Sequence, residues 1–328
     1  MRILVFGAGA VGSVLGGLLA RAGHRVTLLG RAGHTEAIRQ NGLTIDGLWG
    51  QHKVSQIEAV TLPMELGGHE FDLILLTVKA YDTLAAIDAI RPFDHAGLVI
   101  VSVQNGYGNT QALEAAFGRG RIFGARIITG FEMVEPGKVH VTVSADDIRL
   151  GPPVAEQALI SQASELARLM REAGIPVTAT DRYQEFLWSK ILYNCSLNPL
   201  GALLHATYGQ LVADAGTRLL IDRIIEESFA ATRAAGIPLF WERPDEYRRH
   251  FYDELIPPTA KHFPSMLRDL ERRGRTEIDS LNGAVVKLAQ ECGLETPVNQ
   301  TLTSMIKLRE QTRRGELETR GLGNRPTG

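Results

Sequence analysis

Only two cysteines, Cys195 and Cys292, occur in 328 residues. They stand far apart and lack metal-ligand spacing, so neither a disulfide framework nor a cysteine-based metal site is expected. Apolar neighbours predict that both are buried free thiols in a reducing cytoplasm. Long apolar runs are missing as well. A membrane-crossing helix needs roughly 20 apolar residues, and the longest candidates, such as residues 73–78, are strand-sized. A formal charge of −2 gives no electrostatic reason to expect nucleic acid or an anionic membrane as partner. Met1-Arg2-Ile3-Leu4-Val5-Phe6 leads directly into a strand pattern, so no targeting peptide is expected. The composition is that of an ordinary globular protein, with no internal repeat and no bias toward disorder.

The length suits two domains. Residues 3–6, 25–29, 73–78, 98–103 and 122–127 read as strands, with helical patterns such as 13–22 and 83–89 between several of them. Such alternation predicts a parallel, doubly wound sheet. Residues 137–143 and 147–150 read as an antiparallel hairpin added to it, 161–173 as a helix and 176–180 as a last strand. Beyond residue 181 the periodicity is almost continuously helical, over 183–198, 217–235, 244–254, 276–292 and 298–312. The expectation is an α/β domain over 1–180 and an all-helical domain over 181–328, although no Gly/Ser linker marks the boundary. The polar tail from Arg313 is expected to fray.

Gly7-Ala8-Gly9-Ala10-Val11-Gly12 follows the first strand and opens a helix. A GxGxxG pattern alone is weak, but here it has the strand before and the helix after that a dinucleotide site needs. Gly7 permits the tight turn, Gly9 lets a pyrophosphate approach the backbone, and Gly12 lets helix and sheet pack closely. The helix N-terminus then offers free N–H groups and a partial positive charge to the phosphates. A Rossmann-type domain follows. The second strand ends in Leu28-Leu29-Gly30-Arg31, with no carboxylate until Glu36. An NAD or FAD site usually carries an acid there, whereas Arg31 suits a 2′-phosphate, so NADP(H) is the favoured cofactor. Lys79 and Asn105 fall just after two further strands, on the ligand side of such a sheet. Lys79 is a candidate for a cofactor phosphate or ribose, and Asn105 for the nicotinamide ribose or the substrate. Arg31 also reads as a solvated surface arginine, and Asn105-Gly106 as an ordinary turn.

Lys190, Asn194 and Asn198 recur every four residues in a largely apolar stretch. On a helix they form one stripe, an ammonium followed by two amides, suited to a small oxygen-rich substrate. Later come Ser265-Met266-Leu267-Arg268-Asp269 and Thr276-Glu277-Ile278-Asp279 with Asn282-Gly283. Thr276 and Asp279 fit a capping box, which predicts Glu277 in the first turn of a helix, beside its packed face and near a cleft between the domains. Plainer roles exist for each. Lys190 reads as a snorkelling lysine, Asn198 before Pro199 as a turn or cap, Ser265 as a cap, and Glu277 as a helix-start charge.

Taken together, these motifs closely resemble the ketopantoate reductase (2-dehydropantoate 2-reductase) family over nearly the whole chain. They are the Gly7–Gly12 loop, Arg31, Val78-Lys79-Ala80, Gln104-Asn105-Gly106, Trp188-Ser189-Lys190 through Asn198-Pro199-Leu200, Ser265-Met266-Leu267 through Asp269, and Thr276 through Asp279 with Asn282-Gly283. The resemblance implies NADPH-dependent reduction of 2-dehydropantoate to (R)-pantoate, a precursor of pantothenate and coenzyme A. It implies Lys190 as general acid and Glu277 as the acid that engages substrate and stands near the cofactor. It further implies a substrate-carboxylate contact at Ser265 and substrate contacts at Asn194 and Asn198. Asn105 would lie near the nicotinamide and Lys79 near the cofactor, in a homodimer. Two positions depart from the family pattern. Tyr208 stands ten residues after Asn198, and His262 three before Ser265, where the family has asparagines associated with substrate binding. Residues 238–258 also run longer than the family norm. The sequence therefore leaves open another branched 2-oxo acid as substrate, and a non-catalytic NADPH-binding regulator on the same fold.

Overall fold

Runs such as Ile3-Leu4-Val5-Phe6 and Leu73-Ile74-Leu75-Leu76, apolar on both faces, become the central strands of a sheet covered on both sides. They do so in a computed structural model that describes residues 1–68 and 70–315. Two compact units divide at Leu187/Trp188. That point lies inside a helix, past the change of pattern at residue 180.

The first unit contains β1 (Arg2–Phe6), α1 (Ala10–Arg21), β2 (Arg25–Leu29), α2 (Ala32–Asn41), β3 (Leu43–Gly47), β4 (His52–Val54), β5 (Glu58–Val60) and β6 (Leu73–Leu76). It continues with α3 (Thr83–Ile90), β7 (Val99–Ser102), α4 (Asn109–Phe117), β8 (Ile122–Arg126), β9 (Thr129–Glu135), β10 (Lys138–Ser144), β11 (Ile148–Gly151), α5 (Gln157–Glu172) and β12 (Val177–Ala179). The main sheet has the order β12-β11-β8-β7-β6-β1-β2-β5. All its pairs are parallel except β8 with β11. The order reverses between β1 and β6, which is where ligands sit in open α/β sheets. Strand alternation divides the core. Ile3 and Val5 pack with Val14, Leu15 and Leu18 of α1 on one face. Leu4 and Phe6 pack with Ile87, Ile90 and Leu113 of α3 and α4 on the other.

The expected hairpin of 137–143 with 147–150 does not form. Instead β10 pairs antiparallel with β9 and parallel with β3, in a separate sheet of order β4-β3-β10-β9. Meanwhile β11 enters the main sheet between β8 and β12. The small sheet covers the outer face of α1. A Cβ at Gly17 would stand 2.7 Å from Ile45 Cδ1 of β3, and one at Gly16 would stand 2.6 Å from Leu28 Cδ2 of β2. Two adjacent glycines thus let α1 lie close to both sheets at once.

From Tyr183 to Gly315 the described chain is mainly helical. Its elements are α6 (Tyr183–Leu204), α7 (Tyr208–Ala213), α8 (Ala215–Ala234), α9 (Pro244–His250), α10 (Ile256–Thr259), α11 (Ser265–Arg273), α12 (Asn282–Glu291) and α13 (Pro297–Arg314). Several expectations need correction here. Helix α6 does not bend away at Asn198 but runs through Pro199 to Leu204. The segment 244–254 is α9 followed by a π turn, Phe251–Leu255. The segment 276–292 is not one helix. A 3₁₀ turn, Ile278–Ser280, precedes α12, and Glu277 is the turn's N-cap rather than a first-turn helical residue. The capping-box pattern is only half met: Thr276 Oγ1 accepts from the Ile278 N–H at 3.2 Å, but the Thr276 N–H that Asp279 would accept goes to Glu310 Oε1 of α13 at 2.6 Å. Cys195 is buried, as expected, but Cys292 is exposed. It sits at the C-cap of α12, where the chain reverses through a 2.8 Å bond from the Leu294 N–H to the Ala289 carbonyl. Leu288 and Ala289, a turn earlier in α12, are buried, but Cys292 and Leu294 face out. The tail expected to fray from Arg313 is still helical in α13 to Arg314, and the residues beyond Gly315 lie outside the described residues.

Candidate active site

In the first unit the loop after β1 is shaped by its own backbone. Gly7 has φ +117°, and a Cβ there would stand 2.7 Å from the Val78 nitrogen. A Cβ at Gly12 would stand 2.4 Å from the Gly7 carbonyl oxygen. The Leu29 carbonyl accepts from the Gly7 and Ala8 N–H groups at 3.0 and 2.7 Å. The Thr77 hydroxyl donates to the Gly7 carbonyl at 2.6 Å. Gly9 differs from its neighbours. A Cβ there would meet only the Gly7 oxygen, at 4.0 Å. Among the described residues no atom requires glycine at 9, so the room in front of it suits an approaching molecule. Gly9 is the N-cap of α1, without a side-chain cap and with no acidic residue in the first turn. The N–H groups of Ala10, Val11 and Gly12 therefore keep the bare, partly positive end of the helix that a pyrophosphate requires. The loop fits the expected dinucleotide.

Arg31 is the N-cap of α2, exposed, with no acid in that helix's first turn. Beneath it, Gly30 lets the end of β2 approach Ala8 of the loop. His34, one turn on, is buried. Its Nδ1 accepts from the Gly137 N–H at 3.0 Å, so the proton sits on Nε2, 2.8 Å from Ser13 Oγ. Burial lowers the His34 pKa. Lys79, half-buried, starts the 3₁₀ turn Ala80–Asp82 just after β6. Asn105, half-buried, follows β7, and Gly106 takes φ +84° in the expected turn. Residues that sequence reasoning passed over tie these two loops together. Ser102 donates to Gln104 Oε1 at 3.0 Å, and Gln104 Nε2 donates to Thr83 Oγ1 at 2.8 Å. Thr83 donates to Asn109 Oδ1 at 2.9 Å, and Asn109 Nδ2 donates to the Asn105 carbonyl at 2.9 Å. The only signal was polar residues recurring where two apolar helices begin.

In the second unit Lys190, Asn194 and Asn198 lie on the uninterrupted α6, the first two half-buried and Asn198 buried. The Tyr208 hydroxyl donates to Asn198 Oδ1 at 3.0 Å. Burial raises the Tyr208 pKa, so the phenol remains an O–H donor at neutral pH. Its ring meets Tyr193 edge-on, with centroids 5.7 Å apart. The Tyr193 hydroxyl donates to Thr259 Oγ1 at 2.7 Å, and burial has pushed its pKa up to about 12. The Tyr208 N–H bonds the His262 carbonyl at 3.1 Å, so the two departures from the family pattern are direct neighbours. Ser265 is exposed in the first turn of α11, whose N-cap is Pro264. Glu277 is buried. Its neighbour Thr276 is clamped by Glu310 Oε1, which accepts from both the backbone N–H and the hydroxyl at 2.6 Å.

A glycine loop at the switch point of a doubly wound sheet, joined to a helical unit bearing a lysine and two amides in line, defines a dinucleotide-dependent oxidoreductase. The chain belongs to the ketopantoate reductase family. The family's N-terminal profile, described as Ketopantoate reductase PanE/ApbA, matches residues 3–154, and its C-terminal profile matches residues 182–310. A curated 2-dehydropantoate 2-reductase of Aquifex aeolicus is 38% identical over 94% of this chain and 97% of its own length. A crystal structure of a PanE/ApbA family ketopantoate reductase from Ralstonia eutropha JMP134 matches with TM-score 0.84 at 32% identity, covering 96% of this chain and all of that one. D-mandelate dehydrogenase in a ternary structure with NADH and anilino(oxo)acetate matches with TM-score 0.85, covering 96% and 99% of the two chains. At 23% identity that likeness concerns the fold alone. Members of the family use NADPH, and the chain is an oxidoreductase acting on a 2-oxo acid. Among the described residues no helix is long and apolar enough to cross a membrane, and no group of His, Cys, Asp or Glu could hold a metal ion.

Proposed function

We propose that this chain reduces the ketone of 2-dehydropantoate to (R)-pantoate with NADPH, and that Lys190 is the general acid. The observation that carries the reading is the Lys190–Asn194–Asn198 stripe on one continuous helix, in a chain of this family. The bare N-terminus of α1 would bind the pyrophosphate, Arg31 the 2′-phosphate, and Lys79 and Asn105 the neighbouring ribose groups. When bound, the cofactor supplies a hydride for the ketone carbon. Lys190 holds its ammonium at the ketone oxygen, stabilises the negative charge that develops there, and gives up a proton to it. Such proton transfer is worth about 10²–10⁴ in rate, and electrostatic stabilisation adds to it. Asn198 has its side-chain oxygen engaged by Tyr208, which turns its amide hydrogens toward an acceptor. A substrate oxygen fits that demand. Asn194 and Ser265 would hold the substrate's hydroxyl and carboxylate oxygens, and Glu277 would orient the substrate. The family resemblance also supports a homodimer, which light scattering on the purified protein would refute by giving the mass of one chain.

A second reading keeps the chemistry and changes the acid. The ring pair of half-buried Tyr193 and buried Tyr208, beside Asn198, supports a pocket wall more apolar than amides would make. A site built around particular donors discriminates strongly when those donors change. Initial rates of NADPH oxidation with ketopantoate, ketoisovalerate and 2-oxoisocaproate decide between the two. Fastest turnover of ketopantoate is expected. Negligible turnover of it beside brisk turnover of another acid would transfer the function to that acid.

A further inference from the structure

Pro199 lies inside α6, between the last amide of the stripe and the end of the helix. Proline has no N–H and crowds the carbonyl four residues before it, so the carbonyl of Cys195 loses its helical donor. Cys195 is fully buried, and water cannot take the donor's place. The vacancy is filled from another helix. Asn282, fully buried at the start of α12, donates its Nδ2 to the Cys195 carbonyl at 3.1 Å. The same amide group donates to Asn299 Oδ1 at 3.0 Å. Asn299 in turn donates to Glu227 Oε2 of α8 at 2.7 Å. Glu227 also accepts the Val298 and Asn299 N–H groups at 2.9 Å each, capping α13. Asn282 Oδ1 is left without a partner. Its amide is therefore turned by the two acceptors it serves, with its own oxygen sacrificed.

The missing backbone hydrogen bond at Pro199 lies within the stripe's last turn, although α6 stays helical through it. Asn194 precedes the carbonyl that lacks its helical donor and Asn198 precedes the proline. The bearing of Asn198 relative to Asn194 and Lys190 depends on the curvature α6 keeps at that point. We propose that Asn282 is a positioning residue for the reduction, holding the proline break of α6 so that the Asn198 amide faces the substrate in line with Asn194 and Lys190. This rests on the stripe being the substrate site. Asn282 touches neither cofactor nor substrate. It acts through the backbone of Cys195 and is anchored by Asn299 and Glu227.

The test is a double-mutant cycle between Asn282→Ala and Pro199→Ala, read by melting temperature and by steady-state kinetics of NADPH oxidation with ketopantoate, with native protein alongside. Asn282→Ala is expected to lower kcat/KM about 10-fold to 100-fold, chiefly through KM, and to leave NADPH affinity within about twofold. It also lowers the melting temperature. Adding Pro199→Ala restores an N–H to the Cys195 carbonyl, so the melting temperature recovers. The now regular helix leaves Asn198 misdirected, so kcat/KM stays low. Recovery of kcat/KM together with the melting temperature would reduce Asn282 to a purely structural role and overturn the proposal. If Asn282→Ala is insoluble, Pro199→Ala alone serves. It is expected to melt no lower than native protein, alanine being the better helix former, with kcat/KM reduced at least about fivefold. Native kcat/KM in that variant overturns the proposal. Native protein inert on every 2-oxo acid would instead remove the reading of the stripe. Active native protein with an unaffected Asn282→Ala removes only the positioning role.

Discussion

Replacing Tyr208 by Phe removes one oxygen and leaves the ring that meets Tyr193 edge-on. The lost group is the donor to Asn198 Oδ1, at 3.0 Å, and both side chains are at most 7% exposed. Water has no ready access, so the Asn198 oxygen is left without a partner. An unsatisfied buried acceptor costs about 1–3 kcal/mol. Taking about 2 kcal/mol, the melting temperature of a unit of this size should fall by about 4–8 °C. Replacing both partners by apolar groups of similar shape avoids that penalty. The double variant Tyr208→Phe/Asn198→Leu should therefore melt higher than Tyr208→Phe alone. Function should suffer in the same direction. Once its oxygen is released, the Asn198 amide can turn over, and KM for the 2-oxo acid should rise about tenfold with kcat little changed. Differential scanning fluorimetry and initial-rate kinetics on purified variants measure both effects. A Tyr208→Phe protein that melts within about 1 °C of native and keeps its KM would refute the hydrogen bond as the element that orients Asn198.

Lys190→Ala should lower turnover by about 10²–10⁴ while NADPH binding, followed by fluorescence titration, stays near native; collapse of cofactor binding would give Lys190 a structural role instead. Arg31→Ala should lose the preference for NADPH over NADH, and an unchanged ratio of kcat/KM for the two cofactors would count against the 2′-phosphate contact. His34 supplies a pH dependence. Its folded pKa lies below the 6.5 of the unfolded chain because of burial, so the unfolded state binds the proton more readily. Its contribution is present in full above 6.5 and is lost as pH falls toward the folded value. Between about pH 7.5 and about pH 5, native protein should lose more melting temperature than His34→Asn does, and parallel curves would contradict this.

Much of the first unit was legible because its signals are local. Continuous apolar strands, helices between them and a glycine turn after β1 each depend on a few adjacent residues. What sequence reasoning missed depends on distant partners. The hairpin assigned to 137–143 and 147–150 joined the nearest β-type runs, whereas β10 takes β9 on one side and β3, far back in the chain, on the other. Thr276 carried a local capping pattern whose reciprocal half fails because Glu310 of α13 takes the Thr276 N–H. Pro199 carried a local stop signal that Asn282 overrides from α12. Cys292 lies where α12 ends, and the chain on both sides of it, Gln290 to Glu295, is exposed. In the candidate site the spacing of Lys190, Asn194 and Asn198 could be read directly. The groups that aim those side chains, Tyr208 and Asn282 among them, come from other elements and announce themselves by no periodicity.

The pairing of β3 with β10 sets an order of events during synthesis. Asp46 and His140, cross-strand neighbours in that pair, are separated by 94 residues. Contacts of such separation form late, because the intervening chain must first be brought together. On a ribosome, β1, α1 and β2 can assemble soon after they emerge, and β3 can meet α1 at Gly17, but β9 and β10 cannot complete the sheet over α1 until residue 144 has appeared. A truncation that ends before β10 should therefore leave part of the back of α1 exposed, behind the end that faces the glycine loop.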